Sequence, residues 1–209
     1  MSTPSRAPSS PPSPGLKRLG YAGWGVVVLV LALLALAYSQ GWLGLGKMGA
    51  QGVAIGGPFV LTDQDGNTIT EKALLGRPTA LFFGYTNCPD ACPTTLMDMT
   101  ERLKALGPDG DKFNVLFVSL DPARDTPQLL KSYLESFDPR IRAATGTEAQ
   151  VEDVAKKYRV YFKKVGEGDA YTLDHSTAVY ILDAEGNLVT LIDYKETTQA
   201  AIAKMRRVL

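Results

Sequence analysis

Apolar residues are distributed along the chain in three regimes. Up to residue 19 they are sparse among Ser and Pro and leave almost nothing to bury, which predicts a disordered tail over residues 1–19. The pattern then turns almost wholly apolar: no charged residue falls between Arg18 and Lys47, and Tyr21 to Tyr38 is nearly all Val, Leu and Ala. Roughly 18 residues at about 1.5 Å rise make about 27 Å of helix, close to the roughly 30 Å hydrocarbon core of a bilayer. Residues 20–40 are therefore predicted to form a transmembrane helix, with Tyr21, Trp24, Tyr38 and Trp42 near its ends as interfacial aromatics. A glycine-rich stretch over residues 41–56 reads as a flexible tether, and residues 57–209 carry the mixed pattern of a folded domain.

Within that domain, two short apolar runs around Asp65-Gly66-Asn67 predict a hairpin. The continuous apolar run Thr79-Ala80-Leu81-Phe82-Phe83 predicts a buried strand, and Leu96, Met99, Leu103 and Leu106 fall on one stripe of a following helix. A second strand is expected over 114–120, then a helix opening at Asp125-Thr126-Pro127, where a cap residue precedes proline at the first helical position. Helical periodicity returns over 148–158. Strands over 178–182 and 188–192 flank the turn Asp183-Ala184-Glu185-Gly186-Asn187, and a helix over 197–208 closes the chain. Two β-α units followed by a hairpin and a helix give an α/β, thioredoxin-like order with an added N-terminal β-hairpin, as one domain without internal repeats.

Length and charge narrow the function. With 209 residues and 45% apolar content the chain can build one ordinary core. Its 22 basic and 22 acidic residues cancel without long runs of one sign, so nothing suggests a nucleic-acid surface. Arg6, Lys17 and Arg18 precede the apolar span and only Lys47 follows closely, which places the N-terminus in the cytoplasm and the domain outside it. Ala35-Leu36-Ala37 has the form of a signal-peptide cleavage site, the alternative to an uncleaved anchor. Either way the domain faces a non-cytoplasmic space.

The chemistry concentrates on few residues. The chain has two cysteines, Cys88 and Cys92, and one histidine, His175. Cys88-Pro89-Asp90-Ala91-Cys92-Pro93 lies just past an apolar strand and before a helix, where open α/β sheets place ligand sites. Coiled as one helical turn, the cysteine Cα atoms would stand about 6 Å apart, and the helix N-terminus would favour thiolate. A structural disulfide is the plain alternative, but closing so small a loop stabilises little. Two thiolates otherwise make a redox pair or a soft metal site selecting monovalent copper or zinc, with His175 the only imidazole to complete it. Asp174-His175-Ser176-Thr177 enters a predicted strand, a place that faces the cysteine loop in this fold and that a proline occupies in thioredoxins. Asp121 and Asp125 read first as turn-forming and capping carboxylates and second as groups tuning the site. Met97 and Met99 read as packing residues, Tyr85 and Asn87 as loop-shaping, Asp90 as a solvated tip, and Asp174 as support for the histidine loop on the face opposite His175, not a ligand.

Three segments taken together, G-Y-T-N-C-P-D-A-C-P-T-T-L at Gly84 to Leu96, V-S-L-D-P-A-R-D-T-P at Val118 to Pro127 and D-H-S-T at Asp174 to Thr177, resemble the SCO/SenC family of copper proteins. The resemblance covers roughly residues 55 to 209. It implies a thioredoxin-like domain holding one copper, as Cu(I) or Cu(II), through Cys88, Cys92 and His175. It further implies a metallochaperone that assists assembly of the copper A centre in cytochrome c oxidase subunit II, anchored to the membrane and served by a periplasmic copper donor. The expected address is the bacterial inner membrane with the domain in the periplasm, or alternatively the mitochondrial inner membrane facing the intermembrane space. Two other readings stay open: a thiol-disulfide oxidoreductase using Cys88 and Cys92 as its redox pair to keep the oxidase cysteines reduced, and a peroxiredoxin-like peroxidase or redox sensor.

Overall fold

The computed structural model describes Trp24, residues 27–36 and residues 55–209. Residues 27–36 are helical with exposed Val and Leu side chains. No helix among the described residues is long and apolar enough to cross a membrane. The tail, much of the expected span and the tether as far as residue 54 lie outside the described residues. A compact unit begins at Ile55, and the Gly56 N–H already donates to the Lys157 carbonyl at 2.9 Å.

This unit is built on a seven-stranded mixed sheet: β1 (Val60–Asp63), β2 (Thr68–Thr70), β3 (Thr79–Gly84), β4 (Asn114–Ser119), β5 (Ile141–Thr145), β8 (Val179–Leu182) and β9 (Leu188–Ile192), in spatial order β2-β1-β5-β4-β3-β8-β9. Strands β3, β4 and β5 run parallel at its centre, while β8 and β1 join them antiparallel. Every residue of β3 is buried, as expected for a strand covered on both faces. The helices are α1 (Ala91–Ala105), α2 (Pro127–Leu134), α3 (Glu148–Lys157) and α4 (Thr198–Met205). The stripe Leu96, Met99, Leu103 and Leu106 lies in the core.

Both main-sheet hairpins turn by the same device. In Asp63–Asn67 and Asp183–Asn187 the first carboxylate accepts the N–H groups two and four residues on, and Gly66 and Gly186 supply positive φ. The cap before α2 is Thr126, whose hydroxyl accepts the Leu129 N–H at 3.2 Å.

Two features go beyond the pattern reading. Strand β5, Ile-Arg-Ala-Ala-Thr, has β-favouring residues only at its two ends and is set by pairing with β4 and β1 on either side. A separate two-stranded sheet, β6 (Phe162–Val165) with β7 (Thr172–His175), stands outside the main sheet and places Phe162 opposite His175. Its residues are largely exposed, so no apolar alternation announced it.

Asp138 ties the entry of β5 to the rest. Its N–H donates to Thr100 on α1, and its carboxylate accepts from the Arg140 N–H and two guanidinium nitrogens. That guanidinium holds the Asp138 carboxyl below its ordinary value. A depressed native pKa contributes stability that is complete above the ordinary carboxylate value and lost as pH falls through the native one. Denaturant unfolding should therefore show Asp138→Asn destabilised by about 1–2 kcal/mol at neutral pH, the gap closing in acid as the wild-type carboxylate protonates.

Candidate metal centre

At the end of β3, Gly84 passes into Tyr85, and the Cys88 N–H closes a turn onto the Tyr85 carbonyl at 3.3 Å. Helix α1 starts at Ala91, so Pro93 falls in its first turn, where no backbone donor is missed. The unused N–H of Cys92 in that turn points back at Cys88 Sγ, 3.4 Å away. Both cysteines are free thiols, Cys88 half-buried and Cys92 wholly buried.

Gly84 is what leaves room for the buried sulfur. A Cβ at that position would lie 2.6 Å from Cys92 Sγ and 3.0 Å from the Phe117 ring. A glycine closing an otherwise bulky apolar strand is a legible sign of close approach, and it was the signal available for this residue.

His175 ends β7 and brings its Nε2 to 3.4 Å from Cys92 Sγ. Its Nδ1 lies 2.8 Å from the Ser176 carbonyl oxygen. A carbonyl can only accept, so in the neutral ring this contact assigns the proton to Nδ1 and turns the Nε2 lone pair toward the sulfurs. Tyr85 and Phe82 flank the ring edge-on, with centroids at 5.7 Å and 6.5 Å. The donor atoms of Cys88, Cys92 and His175 all lie within 4.8 Å of one another, a grouping able to hold a metal ion. Two sulfurs and one imidazole nitrogen form a soft set suited to copper or zinc. The site opens into a depression lined by Cys88, Pro89, Asp90, Leu173 and His175.

The two thiols are unequal. A hydrogen bond from Cys92 is the main cause that drops the Cys88 thiol to about 3; burial opposes it, and the Asp90 and Cys92 N–H groups assist. The same hydrogen bond and burial push Cys92 far up. Cys88 is thus the accessible thiolate and Cys92 the protonated, enclosed partner. Brief alkylation of the reduced, metal-free chain at neutral pH should modify Cys88 alone. Mass spectrometry of the peptides checks this, and equal labelling of Cys92 would refute it.

Asp125 corrects the sequence reading of a capping residue. It is wholly buried and accepts from the Thr86 N–H at 3.0 Å, the Thr86 hydroxyl at 2.6 Å and the Ser119 hydroxyl at 2.5 Å. It holds the loop that leads to Cys88. Asp121, also buried, accepts from Arg124 and from the Tyr171 hydroxyl. Thr86 and Arg124 lie inside the family-like segments without a chemistry that singles them out, and Tyr171 lies outside those segments. Met99 is in the core and Met97 is exposed on α1, and Asp174 faces solvent as expected. Asp90 is exposed but accepts from the Tyr194 hydroxyl at 3.1 Å.

Comparison with known proteins bears on the same residues. A family model described as SCO1/SenC matches residues 47–209. The mitochondrial protein SCO2 of Saccharomyces cerevisiae is 43% identical over 158 residues, 74% of this chain and 52% of its own length, so the chain spans about half of that relative. The structure of Bradyrhizobium japonicum ScoI with copper bound is similar at 49% identity and a TM-score of 0.70, covering 75% of this chain and 100% of that one. Yeast Sco1 with copper bound is similar at 40% identity and a TM-score of 0.69, covering 74% and 87%.

Proposed function

The chain belongs to the SCO1/SenC family, and from that premise we propose that it is a copper metallochaperone that carries one copper on Cys88, Cys92 and His175 and hands it to the copper A site of cytochrome c oxidase subunit II. One observation carries the reading: three soft donors from two separated segments meet within 4.8 Å, with the histidine turned so that Nε2 faces the thiols. A redox pair needs only the two sulfurs, and the ordered imidazole beside them is an investment that a metal site explains.

Copper is cargo here. Cys88 presents a thiolate at the surface, Cys92 gives up its proton on ligation, and His175 offers Nε2 as the third donor. Because Cys88 is half-buried and the depression is open, an incoming pair of partner thiols can reach the metal by exchange from that side.

The apolar segment over residues 20–40 serves in this reading as a single-pass anchor and residues 41–56 as the tether that lets the domain reach a membrane-bound oxidase. The helical residues 27–36, with exposed Val and Leu, support that use. The periplasmic face of a bacterial inner membrane is the proposed address, the intermembrane space of mitochondria the alternative, and a copper-donating protein there the proposed supplier.

Titrating the reduced full-length chain with Cu(I) against a competing chelator tests the proposal. One equivalent should bind, and Cys88→Ser or Cys92→Ser should abolish stoichiometric binding. Transfer to the apo copper A domain should follow. Absence of binding together with rapid reduction of a disulfide on that domain would instead favour the thiol-disulfide reading.

A further inference from the structure

His175 does not sit on the main sheet. It ends a strand of the separate β6–β7 pair, and its distance to the cysteines depends on how that pair is fastened. The Leu173 N–H donates to the Tyr85 hydroxyl at 3.2 Å, and a second fastening gathers on Tyr171, the residue before β7. Its ring centroid lies 3.7 Å from Arg124 Cζ and 3.7 Å from Lys164 Nζ, so two cations are held by one ring. Its hydroxyl donates to buried Asp121 at 2.5 Å, and its carbonyl accepts from Arg124 at 3.0 Å. Burial, and then the Asp121 acceptor, raise the Tyr171 phenol to about 12, so it remains a donor at neutral pH.

Asp121 leads on to the other half of the site. Its N–H donates to the Ser119 hydroxyl at 3.0 Å, that hydroxyl donates to Asp125, and Asp125 holds Thr86 at the start of the cysteine loop. The cysteine loop and the histidine strand are thereby both referenced to the segment Ser119–Asp125 at the end of β4.

We propose that Tyr171, clamped by Arg124 and Asp121, is a positioning residue that sets His175 against the two thiols through the shared β4 end. This rests on the copper reading for its consequence. Three donors held at one spacing before the metal arrives spare the ordering of a loose strand on binding. Outer partners of metal ligands typically carry about 10–100-fold in affinity. Tyr171 makes no hydrogen bond or ring contact with the three donors, and it adjoins the strand that ends in His175, so its effect passes chiefly through that histidine.

The test is a double-mutant cycle on the full-length chain. Tyr171→Ala should weaken Cu(I) binding by about 10-fold or more with His175 present and add almost nothing in the His175→Ala background. Tyr171→Phe, which loses only the hydroxyl, should shift affinity the same way by less and guards against a misfolded alanine variant. In the metal-free chain, the Leu173 and Ser176 amides, bonded to the Tyr85 hydroxyl and the Tyr161 carbonyl, should exchange faster in Tyr171→Ala while Leu81 and Phe82 of β3 stay unchanged. Equal loss in both backgrounds, unchanged affinity with His175 present, or unchanged exchange at Leu173 and Ser176 would overturn the proposal. If the wild-type chain bound no copper, the copper reading alone would fall, and the exchange measurement would still decide whether Tyr171 holds the strand.

Discussion

Replacing His175 with alanine should lower Cu(I) affinity by about 100-fold or more, beyond the roughly 10–100-fold carried by a metal site's outer partners, while leaving most thiol-exchange activity in place. The asymmetry follows from the geometry. Nε2 faces Cys92 Sγ at 3.4 Å as the third donor, so its loss reduces the site to two sulfurs. Cys88 keeps its thiolate character, because the main cause is the hydrogen bond from Cys92. Folding should change little, since His175 is only half-buried at the end of a small exposed sheet. Chelator competition measures the first effect and reduction of a model disulfide the second. Copper binding that survives intact would remove the imidazole from the site.

Gly84→Ala should damage the same centre from the opposite side. The backbone there takes no unusual φ, so the penalty is steric. The new methyl would lie 2.6 Å from Cys92 Sγ, 3.0 Å from Phe117 and 3.3 Å from Phe82, all inside the core at the end of β3. Overpacking of this kind costs about 1–3 kcal/mol. The atom with most freedom to yield is the sulfur, which would leave its place between Cys88 and His175. We expect a lower unfolding midpoint together with a Cu(I) affinity reduced by about 10-fold or more, comparable to losing an outer partner. Stability that falls with unchanged affinity would show that the sulfur does not need this position.

What the sequence revealed and what it withheld divide along physical lines. The central strands were legible because burial on both faces leaves continuous apolar runs such as Ala80 to Phe83, and α1 because its stripe repeats at helical spacing. The cysteine pair announced itself by its place between strand and helix. His175 could be named only as the single imidazole beside a strand, since its separate hairpin Phe162–Val165 and Thr172–His175 is polar and exposed. Strand β5 was hidden for a related reason, its register coming from neighbours on both sides. The supporting residues were least visible. Asp125 looks in sequence like a helix cap beside Thr126, yet the fold turns it inward to gather Thr86 and Ser119, distant partners that no local pattern encodes.

Whether a single copper is held by two sulfurs and one imidazole nitrogen is read most directly by X-ray absorption at the copper edge of the reduced, stoichiometrically loaded full-length chain. Two sulfur scatterers and one nitrogen scatterer are expected, with the nitrogen lost in His175→Ala. A sulfur-only shell in the wild-type chain, or a nitrogen that persists unchanged in that variant, would contradict this ligand set.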